Sequence, residues 1–390
     1  MAGLTIAAAL AKAGLSVVVV DRDPLTAKAQ PSNDGRTSAI AYGSRRVLDG
    51  LGLWEGLSEG AEPILDIRVS DGQSRLFLHY DHRDLGDEPL GYIIENTLIL
   101  RHLHASLSRL PNVAIIAPAR VTTLEIDGAH ASLSLDDGRR VIARLAIAAD
   151  GRASPMRRLA NIRALEWRYG QTSIVCVVEH ERPHRGIAHE RFLPSGPFAL
   201  LPMRGQRSSI VWTERDPLVP AMMALDDAAF SGAIERRFGS TLGRIRVAGG
   251  RWQYPLALVH AERYSAPRLA LLGDAAHAIH PIAGQGFNLG LRDIAVLAEL
   301  IVDSWRLGLD PAGGAVLARY ERWRRFDSLA MIAATDGLNR LFSNNFPPLK
   351  LARDLGLSLV NSAPPLKRFF MRHAMGLVGD LPRLVQGRAL

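Results

Sequence analysis

Cysteine is almost missing from this chain: Cys176 stands alone among 390 residues, which excludes any intrachain disulfide. That scarcity fits a reducing compartment. Cys176 lies in the run Thr-Ser-Ile-Val-Cys-Val-Val at 172–178, a predicted strand with no cation or imidazole to lower a thiol pKa. It is read as a buried structural thiol rather than a nucleophile. No run interleaves aromatic with basic residues, and no Cys/His set has zinc spacing. Neither a nucleic acid nor a metal is therefore an expected partner. No internal repeat or low-complexity tract appears.

A membrane-spanning run is missing as well. Residues 1–20 are strongly apolar, but Lys12 lies in their middle, Gly14 divides them, and Asp21-Arg22-Asp23 follows without a basic stretch in front. The segment is neither a secretory signal nor an anchor on these grounds, and a cytoplasmic location is expected. Acidic residues are in modest deficit, giving a net charge of +8. Residues 341–390 hold seven Lys/Arg and two Asp/Glu, hence +5, and the remaining 40 basic and 37 acidic residues give only +3. The basicity is local, which points to a local anionic partner.

What is present is an ordinary globular composition, 47% hydrophobic and 22% charged, on a chain long enough for two domains or one interwoven α/β body. Residues 2–13 are good helix formers and Gly14 suits the stop. Leu15-Ser16-Val17-Val18-Val19-Val20 reads as a buried parallel strand ending in Asp21. Helix, strand and acid form the back half of a dinucleotide-binding βαβ unit. Gly3 takes the place of the last glycine of G-x-G-x-x-G, and Asp21 that of the ribose-binding acid. The first strand and first two glycines are not in the sequence. The expectation is a chain that starts inside its own motif, at an internal methionine, with a sheet lacking its central strand.

The most informative segment lies far downstream. A predicted strand at 268–272 runs into Gly273-Asp274-Ala275-Ala276-His277, then Pro281, Gly284-Gln285-Gly286, Asn288, Gly290 and Asp293. That order offers one carboxylate, a row of backbone N–H groups and a helix start near Gln285 to a single ligand. It suits a cofactor with ribityl hydroxyls and a ring that turns anionic on reduction. A third candidate is Asp150-Gly151-Arg152-Ala153-Ser154-Pro155-Met156-Arg157, which follows a predicted strand at 141–149 and opens a short helix near Ser154. Taken alone it is an ordinary strand, turn and helix. Asp34-Gly35-Arg36 precedes a predicted helix at 43–51, and Asn96 fits the N-cap of a helix that carries Arg101. Between these segments the pattern turns to short strands at 172–178, 188–193, 198–203 and 209–213, joined in one mostly antiparallel sheet by 67–80.

The three motifs resemble the fingerprints of single-component FAD-dependent aromatic hydroxylases. Together with Asp34-Gly35-Arg36-Thr37-Ser38-Ala39-Ile40-Ala41 and Thr335-Asp336-Gly337-Leu338-Asn339-Arg340-Leu341-Phe342-Ser343, the chain is similar along nearly its whole length to the ubiquinone-biosynthesis hydroxylases of the 2-octaprenyl-6-methoxyphenol hydroxylase type. The resemblance implies an α/β fold. A dinucleotide-binding FAD domain without its first strand (1–65, 95–165 and 265–330) is interleaved with a mostly antiparallel substrate domain (66–94 and 166–264). A helical region, 331–390, follows. It implies that Arg36 approaches the FAD pyrophosphate and that Arg101 is a second cofactor contact. Asp150 lies near FAD where the nicotinamide approaches, and Asp274 holds the ribityl chain. Gly284 and Gly286 let backbone approach the isoalloxazine, with Gly273, Pro281, Gln285 and Asn288 completing the third motif.

The chemistry implied is reduction of FAD by NAD(P)H or another donor, formation of a flavin C4a-hydroperoxide from O₂, and oxygen transfer to a polyprenyl phenol. No dedicated acid or base is implied. Leu366, Phe369, Phe370 and Leu377 are expected to share one helix face with Lys367, Arg368 and Arg372 off it. Such a helix suits peripheral contact with the inner face of a membrane, or packing on the body or on other ubiquinone-biosynthesis proteins. The competing readings are a flavin hydroxylase of a soluble aromatic and a catalytically silent scaffold subunit.

Overall fold

A computed structural model describes every residue except 25–26, 28–29, 31–33, 73, 75–76 and 344–346. Besides short helical turns, the chain begins with α1 (Ala2–Lys12), β1 (Val17–Val20), β2 (Thr37–Ala41), α2 (Tyr42–Gly50), β3 (Glu62–Ile64), β4 (Asp66–Asp71), β5 (Phe77–Asp81), β6 (Gly91–Glu95), α3 (Asn96–Leu107) and β7 (Val113–Ile116). The middle holds β8 (Val121–Ile126), β9 (Ala131–Leu135), β10 (Arg140–Ala143), β11 (Ala146–Ala148), β12 (Ala164–His180), β13 (Ile187–Leu193), β14 (Gly196–Met203), β15 (Arg207–Arg215), α4 (Asp227–Phe238) and β16 (Ile245–Ala261). The last third holds β17 (Ser265–Ala266), β18 (Leu269–Leu271), β19 (His277–Ala278), α5 (Gln285–Arg306), α6 (Gly314–Phe342), α7 (Pro347–Ser362) and α8 (Pro364–Ala374).

Two bodies of secondary structure share this chain. In the first, β1 pairs in parallel with β7, and β11 pairs in parallel with β18. Against them pack α1, α3 and α5, whose Leu4, Ile6, Leu10, Leu103, Leu107, Leu291 and Ile294 belong to one buried cluster. α1 stops where Gly14 takes φ +95°, a conformation that other residues enter at a cost. Among the described residues no strand lies between β1 and β11, so the parallel layer is interrupted there. Val18 is consequently 45% exposed, and β1 is half-open rather than buried as its four valines suggest.

The second body is an eight-stranded sheet in the order β19-β16-β12-β15-β14-β13-β4-β5. All its pairings are antiparallel except β13 with β4. Alternation along β12 sends Ile174, Cys176 and Val178 to one face, where all three are fully buried. They meet Phe198, Trp212 and the Phe230, Ile234 and Phe238 side of α4. Each such side chain contributes about 1.5–3 kcal/mol on leaving water. The 17-residue partner strand β16 is not legible in the sequence, because its run Gly249-Gly250-Arg251 interrupts the apolar pattern.

Three local expectations change. The single strand predicted at 141–149 is two, β10 and β11, which belong to different sheets. Asn96 is the first residue of α3 rather than its cap, and its Oδ1 accepts a hydrogen bond from the Ser38 hydroxyl at 2.6 Å. Leu377 lies beyond the end of α8, which docks through buried Met371 instead, and Met375 just past its end joins the same cluster.

Burial pushes the Cys176 thiol up to about 12. The folded protein should therefore be inert to thiol reagents at pH 8, with one thiol appearing in denaturant. Stoichiometric labelling of the native chain would contradict this packing.

Candidate functional site

Two turns meet at the start of α1, and small residues let them do so. A Cβ placed on Gly3 would stand 3.3 Å from the Ala149 Cβ, immediately before Asp150. A Cβ on Gly273 would stand 3.6 Å from the Ala2 Cβ, and Gly273 also needs φ +58°. On α5, a Cβ on Gly290 would lie 3.7 Å from the Gly273 Cα. The helix start, the Asp150 turn and the Gly273-Asp274 turn are thus stacked at contact distance.

A cavity of about 1880 Å³ opens beside this stack, and Gly3, Asp21, Asp34, Arg36, Asp150 and Gly151 all line it. It is continuous with the interruption between β1 and β11, since Val17, Val19, Ala146 and Ala148 line it too. Asp21 closes β1, and its Oδ1 accepts from the Asp23 N–H at 3.0 Å. Arg36 is preset by a two-pronged pair with Asp34, both contacts at 2.9 Å, and by stacking 4.7 Å over the Tyr254 ring. Asp150 is exposed to the cavity while its Oδ2 accepts from the Met156 N–H at 3.0 Å. Ser154 caps the helix behind it by accepting from the Arg157 N–H.

Asp274 projects from its turn at the same end. The surrounding protein raises its carboxyl above the usual range, and His277, Arg36, the chain's amino terminus and Arg152 pull it back. The turn itself is fixed from behind. The Gly273 N–H donates to Asp293 Oδ2 at 3.0 Å, and His277 Nε2 donates to the same oxygen at 2.6 Å. Next, the turn Ile282–Gly284 delivers the chain into the N-terminus of the 22-residue α5. The first N–H groups there have no intrahelical acceptor and carry the positive end of the helix dipole.

The third motif divides by role. Gly284 is demanded by the fold itself, with φ +61° and a hypothetical Cβ only 2.9 Å from the Ala39 Cβ. A Cβ on Gly286 would meet nothing within 4 Å, so that position faces open space. Asn288 spends both ends of its amide inside the protein, accepting from the Ala41 N–H at 2.9 Å and donating to the Ala39 carbonyl at 2.8 Å. It ties the motif to β2. Gln285 is buried and reaches the Ala374 carbonyl, and Pro281 is half-buried at the entrance to the turn. Arg101 lies on the exposed side of α3 and does not line the cavity.

Several residues of this neighbourhood have no signature in the sequence. Tyr254 is recruited from β16, where its ring lies under Arg36 and its hydroxyl reaches Asp34. Arg324 reaches Asp293 from α6. His280 is fully buried, packs edge-on against Tyr169 at 4.9 Å, and is pushed down to about 4 by burial, so it is neutral at physiological pH. These contacts join residues far apart in the chain, and sequence order does not reveal them.

A cavity lined by Asp21, Arg36 and Asp150, a Gly273-Asp274 turn packed on the start of α1 and the N-terminus of α5 together fit FAD, while Gly273, Asp274, Pro281, Gly284, Gln285, Gly286 and Asn288 do not themselves line that cavity. Comparison with known proteins agrees. The family model described as FAD binding domain matches residues 1–333. The chain is 53% identical over 390 residues to the ubiquinone hydroxylase UbiL of Rhodospirillum rubrum, covering 99% of this chain and 91% of that one. It is 34% identical over 382 residues to 3-demethoxyubiquinol 3-hydroxylase of Escherichia coli, covering 97% and 96%. Its fold is similar to that of p-nitrophenol 4-monooxygenase PnpA from Pseudomonas putida, with TM-score 0.81, 21% identity and 97% and 96% coverage.

The two glycines of the third motif should separate on substitution. Gly284→Ala forces an unfavourable φ and a contact with Ala39, and should cost about 2–4 kcal/mol in denaturant unfolding. Gly286→Ala should leave the unliganded chain within about 0.5 kcal/mol of its original stability while weakening flavin uptake. Equal destabilisation by both would remove the distinction.

Proposed function

This chain belongs to the FAD binding domain family, and from that membership we propose that it hydroxylates the phenolic ring of a ubiquinone precursor with O₂, as an FAD-dependent monooxygenase. The observation that carries the reading is the meeting of three separated segments, the first turn of α1 and the two turns packed on it, through Gly3 against Ala149 and Gly273 against Ala2. One elongated ligand laid along that stack meets all three.

The division of labour follows from the geometry. FAD, when bound, supplies oxygen activation and transfer, for which this chain offers no dedicated side chain. Asp21 takes the ribose hydroxyls, and the start of α1 with Arg36 takes the pyrophosphate. Asp274 takes the ribityl chain, and Asp150 borders the same path. The N-terminus of α5, open at Gly286, would offer its positive end to a ring that gains negative charge on reduction, worth up to about 2 kcal/mol. Residues 1–65, 95–165 and 265–330 form the FAD-binding part in this reading. Residues 66–94 and 166–264 form the layer that covers the ring and keeps water out, and 331–390 form a helical region. NAD(P)H is the electron donor we assign.

The substrate we assign carries a polyprenyl tail, and the C-terminal helix supports this. Among the described residues no helix is long and apolar enough to cross a membrane. On α8, however, Leu366, Phe369 and Phe370 are 39%, 51% and 41% exposed beside Arg368 and Arg372. Exposed rings among cations suit an anionic lipid surface where such a tail resides. Lys367 is engaged elsewhere, 2.7 Å from Asp84.

Deletion of the gene should abolish the quinone and accumulate a precursor one hydroxyl short. Unchanged quinone would refute the reading. Asp274→Ala should abolish stable FAD incorporation, read as loss of the flavin absorption band after gel filtration, and full occupancy in that variant would remove the assigned role. Replacing Leu366, Phe369 and Phe370 together by serine should weaken flotation with anionic vesicles about tenfold or more. Undiminished flotation would exclude α8 as the membrane contact.

A further inference from the structure

We infer that Arg324, on α6 and outside all three flavin motifs, is a positioning residue for the Gly273-Asp274 turn, acting through Asp293; the inference rests on the FAD site proposed above. Asp293 is fully buried and is shared by three donors. Its Oδ2 accepts from the Gly273 N–H and from His277 Nε2, and its Oδ1 accepts from Arg324 Nε at 2.7 Å. Arg324 is itself 1% exposed and passes its Nη1 to Asp327 Oδ2 at 2.7 Å, which also receives Arg292 Nη1 at 3.2 Å. A second tie runs in parallel, with the Tyr320 hydroxyl donating to the Leu271 carbonyl at 2.8 Å, two residues before the turn.

The geometry makes the turn's position depend on α6. Gly273 at φ +58° has no side chain to hold it; its carbonyl accepts from the Ala276 N–H at 2.8 Å, and its N–H bond to Asp293 is the side-chain constraint on where Asp274 points. Asp293 has two carboxylate oxygens, and one is already committed to the turn. The other is oriented by the planar guanidinium, which fixes direction as well as charge. Removing Arg324 frees the Oδ1 side of the carboxylate and leaves Asp293 with His277 as its remaining side-chain hydrogen-bond partner. Arg324 touches neither cofactor nor substrate in this account. It acts by holding the carboxylate that holds the turn.

The test uses the full chain in three variants. Arg324→Met removes the fork at similar size. Arg324→Lys keeps the charge without the fork. Arg353→Met breaks a buried pair with Asp71, 2.8 Å long and distant in sequence from the flavin motifs, as a control for destabilisation alone. Amide exchange is measured on the unliganded proteins, FAD affinity by quenching of flavin fluorescence, and unfolding midpoints on all three. The expected result is faster exchange at 273–277 and an FAD dissociation constant about tenfold weaker in Arg324→Met, with partial recovery in Arg324→Lys. Arg353→Met, at a comparable drop in midpoint, should leave both close to the original. Unchanged exchange at the turn in Arg324→Met overturns the proposal, as does a loss of FAD affinity no larger than in Arg353→Met. If the unaltered chain takes up no FAD, the FAD reading fails separately, and the exchange measurement alone decides whether Arg324 positions the turn.

Discussion

Close approach between glycine and alanine at the first turn of α1 is the constraint that governs the rest of this structure. Ala2 and Gly3 admit the Asp150 turn and the Gly273-Asp274 turn to about van der Waals contact. A larger side chain at either place would push the turns apart and carry Asp274 away from Asp150. Three segments that are distant in sequence converge because the residues between them are nearly absent as side chains. That is packing by subtraction, and it leaves little tolerance, since interiors this dense respond to a single methyl group.

Charge supplies the second constraint. Buried ion pairs often contribute little net stability, because desolvation offsets attraction. The Asp293 group, which joins His277, Arg324, Asp327 and Arg292 across α5 and α6, is better understood as a specification of geometry. Burial alone would push Asp293 up, and the cations beside it hold it well below the usual carboxylate range, so it stays ionised. An ionised, three-way-bonded carboxylate has one orientation, and it imposes that orientation on the turn in front of it.

How much of this was legible beforehand differs by kind of signal. Glycine, acid and proline spacing located the three motifs, because each encodes a local backbone requirement such as the φ of Gly273 or Gly284. The short strands β12 to β15 were readable from alternation, and β4 and β5 were expected to join them. β16 was hidden by its glycines, and the split of 141–149 into β10 and β11 was hidden because both halves are equally apolar. The bonds of Asn288 to β2 are not legible in the sequence, since a side-chain amide says nothing about its partners until β2 is folded against it. Arg324 and Tyr254 were invisible for the same reason: their contacts span tens to hundreds of residues, and no local period records them.

The interrupted parallel layer has a consequence for the behaviour of the protein in concentrated solution. β1 and β11 present facing rows of amide and carbonyl groups without described strand partners, with Val18 bare beside them. Open edges of this kind are templates for intermolecular pairing.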